Sequence, residues 1–207
     1  DIPIHLEEQG LGNIIIDKSR NVSLNIKNSI KVNRETSIKI TVAQALCLSN
    51  KMDFVVQKST ELGVYLIQPI MTTRCHVKIH PSKVADKTAR WQRVANAASA
   101  QCGRNVNPKV LNPISWYDFI ASANKKNIGT SKLLLDPFTD ESISQVKLTK
   151  GNDLIMVIGP EAGLTDNEEE MATNSNFIRV KCGNRILRTE TASIVALSII
   201  NSRLEVM

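Results

Sequence analysis

Short, continuously apolar segments alternate with segments of helical periodicity from residue 37 onward, and this alternation restricts the fold more than any other feature of the chain. Because a strand that is apolar at every position has no face for water, such strands separated by helices indicate an α/β fold. Its sheet would be parallel and covered on both faces. The predicted strands are 38–42, 65–71, 132–136, 153–158 and 177–180. The predicted helices are 52–62, 81–102, 115–123, a short helix after Thr165, and 190–204.

Local signals place several helix ends. Gly63 and Gly103 follow periodic segments and are natural C-terminal stops. Pro81 suits the first turn of a helix. The run from Thr165 to Glu168 has the S/T-x-x-E form of a capping box, which begins a helix.

Residues 1–34 differ from the remainder. Two short β-branched runs, 13–17 and 22–26, are separated by polar turn residues, which predicts a β-hairpin or meander. This length of chain is too small to form a core by itself. We therefore interpret 1–34 as part of a small β domain and 35–207 as the main domain.

Composition excludes several classes of protein. The 207 residues are 42% hydrophobic and 22% charged, as expected for a globular chain rather than a disordered one. The longest apolar runs fall far short of the roughly 20 residues that cross a bilayer, so we expect no membrane segment. The N-terminus has no basic leader, so no signal peptide is expected.

The four cysteines are widely spaced, and no C-x-x-C pair is present. His76 and His80 lie four residues apart without the glutamate of a metalloprotease helix between them. We therefore expect reduced cysteines, no bound metal and a cytoplasmic location.

The net charge of +6 is concentrated in one stretch. Residues 72–110 contain eight lysines and arginines and one acidic residue, Asp86. That window carries +7, so the rest of the chain is near neutral. A localised basic surface favours a polyanionic partner, although an ordinary solvated helix face is the alternative.

Three loops follow predicted strands, where ligands bind in parallel α/β sheets. They are 133–137, 158–164 and 182–192, and the last two contain glycines that permit close approach of the backbone. They lack both the P-loop and the G-x-G-x-x-G pattern. The residues alone predict a mostly apolar pocket with a charged rim of Glu161, Arg185, Arg188 and Glu190. The alternative is that these charged residues form structural ion pairs and that the Gly-Pro loop is a plain turn.

Several blocks of sequence, taken in order, resemble one known family. They are Gly-Pro-Glu-Ala-Gly-Leu at 159–164 and Gly-Asn-Arg-Ile-Leu-Arg-Thr-Glu-Thr-Ala at 183–192, with 51–54, 57–63, 74–75 and 101–104 upstream. This pattern resembles the ribosomal RNA small subunit methyltransferase E family of the SPOUT superfamily.

The resemblance implies a fold and a reaction. It implies a PUA-like β-barrel for RNA binding, only partly represented by residues 1–34, and a SPOUT methyltransferase domain with a C-terminal deep trefoil knot. It further implies a homodimer that transfers a methyl group from S-adenosyl-L-methionine to N3 of one uridine in the 16S ribosomal RNA of the small ribosomal subunit.

The resemblance also implies site residues. The predicted cofactor contacts are Leu134, Leu135, Ile158, Gly159, Glu161, Gly163, Cys182, Gly183, Ile186 and Leu187. Arg188 is expected to stabilise negative charge on the uracil, and Glu190 to act as a base or orienting group, with helix capping as its alternative. The predicted RNA contacts are Arg74, Lys83, Lys87, Arg90 and Arg104.

The chain departs from the family pattern at three positions. Ala162 stands where a second glycine is usual, which predicts strain of roughly 1 kcal/mol if that residue needs a positive φ. Ala100 replaces a frequent glutamate, and Asp136 replaces a frequent histidine. None of these changes removes an evident reactive group.

Two other functions fit the sequence. A SPOUT methyltransferase acting on another RNA, such as transfer RNA, would share the cofactor loops. A non-catalytic RNA-binding or ribosome-assembly factor would keep the basic surface without the reaction.

Overall fold

A computed structural model describes residues 8–17, 21–125, 129–148 and 152–204. At the N-terminus, strands β1 (Glu8–Ile16) and β2 (Val22–Lys31) pair antiparallel, which confirms the predicted hairpin. The register shifts between Leu11 and Gly12. Several apolar side chains of the hairpin are exposed, including Ile14 and Val22.

The main domain contains a parallel sheet, as predicted. Its strands, in chain order, are β3 (Ile40–Ala45), β4 (Leu66–Met71), β5 (Lys109–Val110), β6 (Ile114–Ser115), β7 (Ser131–Leu135), β8 (Leu154–Ile158) and β9 (Ile178–Val180). The spatial order is β5-β4-β3-β8-β7-β9, and β6 also pairs with β4. All of these pairs are parallel. The sequence did not predict β5 and β6, because two residues are too few to show periodicity.

Within the described residues, five helices connect and cover the strands. They are α1 (Ser49–Glu61), α2 (Val84–Cys102), α3 (Trp116–Asn124), α4 (Asp166–Asn174) and α5 (Thr189–Arg203), with a short 3₁₀ turn at Pro81–Lys83 before α2. Gly103 ends α2 in the left-handed conformation with φ of 75°, as its position predicted. The capping box that begins α4 is present in both directions between Thr165 and Glu168.

The core lies on the two central strands. Every residue of β8 is buried, and Ile40 and Val42 of β3 are fully buried beside it. Helix α1 contributes the buried Met52 to this core, and α5 contributes Leu197. Within the described ranges, none of the helices has the length and apolarity needed to cross a bilayer.

One predicted RNA contact is corrected by the structure. Arg104 follows α2, and only 4% of its side chain is exposed. Its guanidinium donates hydrogen bonds to the carboxylate of Glu35 and to the carbonyls of Thr60, at 2.8 Å, and Val64, at 3.0 Å. Arg104 therefore joins the segment before β3 to the end of α1 and is not available at the surface.

The burial of Arg104 leads to a prediction about stability. Arg104→Ala leaves the Glu35 carboxylate and two carbonyls without their donor, so it lowers the free energy of unfolding by about 3 kcal/mol. Chemical denaturation measures this change. The exposed Arg93 on the outer side of α2 gives a matched control, since Arg93→Ala changes stability by less than about 0.5 kcal/mol. Equal effects of the two variants would contradict the structural role of Arg104.

Candidate active site at the carboxyl ends of three strands

Strands β7, β8 and β9 run parallel, so the loops that follow them meet at one edge of the sheet. Together with the start of α5 they enclose a cavity of about 530 Å³, within the range of small-molecule sites. Of the predicted cofactor contacts, all except Gly183 line this cavity. Gly183 follows the lining residue Cys182 directly and has φ of +116°, a conformation that disfavours any side chain.

The loop after β8 forms one wall of the cavity. Gly163 has φ of +73°, so glycine suits this turn. Arg74, predicted as an RNA contact, donates a hydrogen bond of 2.7 Å to the carbonyl of Leu164 and thereby supports the loop. Among the described non-glycine residues only Asn176 has a positive φ, so the strain expected at Ala162 is not present.

A buried hydrogen-bond chain joins this loop to β3 and α5. Gln44 is fully buried in β3, and its side-chain amide donates to the hydroxyl of Thr189 at 2.9 Å. The Thr189 hydroxyl donates in turn to the carbonyl of Gly159 at 2.8 Å. Sequence reasoning missed both side chains; the one available signal was a glutamine within an otherwise apolar strand end.

A cluster of charges lies beside this hydrogen-bond chain. Lys51 Nζ is 2.9 Å from Glu161 Oε1 and 3.6 Å from Glu190 Oε2. Burial raises the pKa of Glu161, but the hydrogen bond from Lys51 and other favourable contacts outweigh it, so the net shift lowers that pKa. Burial, with the nearby carboxylates of Glu161 and Glu190, raises the pKa of the Cys47 thiol to about 12. Cys47 is therefore a neutral thiol at physiological pH.

Arg188 immediately precedes α5 and lines the cavity. Its side chain is exposed and forms no hydrogen bond or ion pair with any other residue that the structure describes. A guanidinium with this freedom can meet an incoming ligand. Glu190 lies in the first turn of α5, where its carboxylate faces Lys51 and is not part of the cavity lining.

Comparison with known proteins assigns the chain to a family. A family model described as an RNA methyltransferase domain matches residues 34–201. The ribosomal RNA small subunit methyltransferase E of Bacillus subtilis is 34% identical over 182 residues, which cover 84% of this chain and 70% of that protein. The chain belongs to the ribosomal RNA small subunit methyltransferase E family. The relative from Buchnera aphidicola (strain APS) is 32% identical over 89% of this chain and 72% of its own length.

Two solved structures share the fold of this methyltransferase E family member. A methyltransferase from Legionella pneumophila, solved with the cofactor SAM bound, matches with a TM-score of 0.87 and 36% identity over 95% of this chain and 79% of its own. The ribosomal RNA small subunit methyltransferase E from Neisseria gonorrhoeae, bound to S-adenosyl methionine, matches with a TM-score of 0.86 and 29% identity over 96% and 80% of the two chains.

The remaining predicted RNA contacts of this family member lie on α2 and just before it. Lys83 is exposed, with Asp86 at 3.7 Å. Lys87 is half-buried and donates to the hydroxyl of Ser49 at 3.4 Å. Arg90 forms an ion pair with Asp53 of α1. Among the described residues, no three His, Cys, Asp or Glu side chains cluster in a way that could hold a metal ion.

Proposed function

We propose that this chain transfers a methyl group from S-adenosylmethionine to N3 of one uridine in 16S ribosomal RNA. The observation that carries the proposal is the cavity where the three loops meet, with the guanidinium of Arg188 at its edge and unpaired among the described residues. Membership of the methyltransferase E family and the two SAM-bound relatives support the cofactor.

The residues of the cavity fit this cofactor. Leu134, Ile158 and Leu187 supply apolar surface for an adenine ring. The left-handed glycines Gly163 and Gly183 leave the backbone open, since a Cβ at either would meet no atom within 4 Å. When bound, S-adenosylmethionine supplies a methyl group already activated by the positive sulfonium.

The protein must make uridine N3 a better nucleophile. This nitrogen carries a proton, and its loss leaves negative charge on the two uracil oxygens. Arg188 remains protonated at neutral pH, and we assign it to stabilise that charge. Glu190, two residues further along the chain, faces Lys51 outside the cavity lining, so of its two expected roles we propose the orienting one, while water accepts the N3 proton. Because N3 lies on the pairing edge, the uridine enters the cavity unpaired.

The reaction itself gives the first test of this function. The protein is incubated with S-adenosylmethionine and small ribosomal subunits from cells that lack it, and digested nucleosides are identified by mass spectrometry. We expect 3-methyluridine from 16S RNA, and Arg188→Ala to lower its rate about a hundred-fold. Lys147→Ala, at an exposed position outside the cavity, serves as the control. Methylation of another atom or only of transfer RNA would reject this proposal, and absence of cofactor binding would favour a non-catalytic factor.

We propose that RNA lies along the basic surface formed by Arg74, Lys83, Lys87 and Arg90. Arg74 also supports the loop after β8, so it links the RNA surface to the cavity.

We also propose that residues 1–34 form part of a PUA-like domain that helps to bind RNA, and that residues 35–207 form the SPOUT domain. The family match that begins at residue 34 supports this boundary. RNA binding by a chain lacking the hairpin tests its contribution.

Salt dependence distinguishes the RNA surface from the cofactor cavity. Phosphate contacts release counterions, so RNA affinity falls steeply as salt rises, whereas S-adenosylmethionine affinity changes little. Lys83→Ala reduces the slope of log affinity against log salt by about 1 for 16S RNA and leaves cofactor affinity unchanged. Fluorescence anisotropy and calorimetry measure the two affinities. An unchanged slope would remove Lys83 from the RNA surface.

We propose that the protein is a homodimer formed through α5. In the middle of this helix Ile194, Val195 and Ile199 stay partly exposed, although Ala196, Leu197 and Ile200 are buried. Sedimentation velocity is expected to give about twice the chain mass of 22.9 kDa. Val195→Glu places a charge on this face and shifts the protein to a monomer; a wild-type monomer at micromolar concentration would contradict the proposal.

We also propose the deep trefoil knot of the SPOUT superfamily, with the chain after β9 threaded before α5 begins. The contact between Thr189 and Gly159 supports it, because it brings the start of α5 back beside the loop after β8. Chain tracing in a crystal structure tests the threading.

Because ribosomal RNA is the proposed substrate, we place the activity in the cytoplasm.

A further inference from the structure

Lys51 lies between two carboxylates that come from different parts of the chain. It projects from the first turn of α1, Glu161 belongs to the loop after β8, and Glu190 to the first turn of α5. The ammonium is 2.9 Å from Glu161 Oε1 and 3.6 Å from Glu190 Oε2. One cation thus connects a wall of the cavity to the helix that begins directly after Arg188.

The two carboxylates need this cation. Glu190 Oε2 is buried and accepts no hydrogen bond from the described residues, so the charge of Lys51 is what compensates it. Only 16% of the Glu190 side chain and 20% of the Lys51 side chain are exposed, so solvent screens the pair incompletely. The hydrogen bond to Glu161 is the main cause that raises the pKa of Lys51, which keeps the ammonium charged.

This connection complements the buried one. Inside, the Thr189 hydroxyl bonds the Gly159 carbonyl. Nearer the surface, Lys51 pairs with Glu161, two residues after Gly159, and with Glu190, one residue after Thr189. Two separate contacts restrict rotation of the loop relative to α5, whereas a single hydrogen bond would permit that rotation. The backbone position of Arg188 depends on both.

We propose that Lys51 is a positioning residue that holds the cofactor loop and the start of α5 in register, and so places Arg188 against the methyl acceptor. The proposal rests on the methyl transfer proposed above, because the placement of Arg188 matters for that reaction. Lys51 acts through Glu161 and Glu190 and does not line the cavity itself. Its removal should therefore lower kcat, and any loss of cofactor affinity, transmitted through Glu161 in the cavity wall, should be the smaller effect.

The same helix offers a matched control. Lys58 pairs with Glu61 at 2.8 Å, with side-chain exposures of 33% and 25%. This pair has a length and exposure similar to those of the Lys51–Glu161 pair, but both partners belong to α1. Removing Lys58 therefore breaks an ion pair without loosening any connection between segments.

The experiment compares Lys51→Met, Lys51→Arg and Lys58→Met by kinetics and by amide hydrogen exchange. With small ribosomal subunits as substrate, we expect Lys51→Met to lower kcat about tenfold or more, while the dissociation constant for S-adenosylmethionine changes much less. We expect faster exchange in 159–164 and in 189–193 together. Lys51→Arg keeps the charge and restores most of the kcat, and Lys58→Met behaves like wild type.

The outcomes separate this inference from the proposed function. Equal behaviour of Lys51→Met and Lys58→Met, or faster exchange in only one of the two segments, would overturn the role of Lys51. The exchange measurement needs neither RNA nor cofactor. If the wild-type protein fails to methylate 16S RNA and both segments still loosen together, the proposed function fails while the coupling through Lys51 stands. If Lys51→Met does not fold, Lys51→Gln provides the same comparison.

Discussion

The site depends on the parallel pairing of β7, β8 and β9. Strands that run in one direction end at one edge of the sheet, so their three following loops are brought together although the ends of β7 and β9 are 45 residues apart along the chain. In this group β7 lies between β8 and β9, and the completely buried β8 joins the group to the rest of the sheet through β3. The glycine-containing loops after β8 and β9 can then leave backbone groups open to a ligand without forming a core of their own.

Polar contacts determine how these loops are held. Thr189 accepts a hydrogen bond from Gln44 and donates one to the Gly159 carbonyl, which connects β3, the loop after β8 and α5 at one buried hydroxyl. Arg74 supports the far end of the same loop through the Leu164 carbonyl. The cavity walls are therefore held by contacts within the protein itself.

The basic residues serve different purposes despite their closeness in sequence. Lys83 extends into solvent, whereas Arg90 pairs with Asp53 and Lys87 reaches Ser49, so part of the charge on α2 is used to join it to α1. The buried guanidinium of Arg104 pairs with Glu35 and donates hydrogen bonds to two backbone carbonyls. Charge counting along the chain locates a basic region, but only the structure shows which of its cations are available to a polyanion.

By itself the sequence determined the parallel sheet, the hairpin, the helix ends at Gly103 and Thr165, and the family, because apolar periodicity, capping residues and motif order are local properties. It also indicated most of the cavity lining, since loops after parallel strands meet at one edge. Only the tertiary structure decided that Arg104 is buried, that Ala162 is unstrained, and that Gln44 and Lys51 meet partners more than 100 residues away. These last facts depend on which distant segments pack together, and no local pattern in a single chain records that choice.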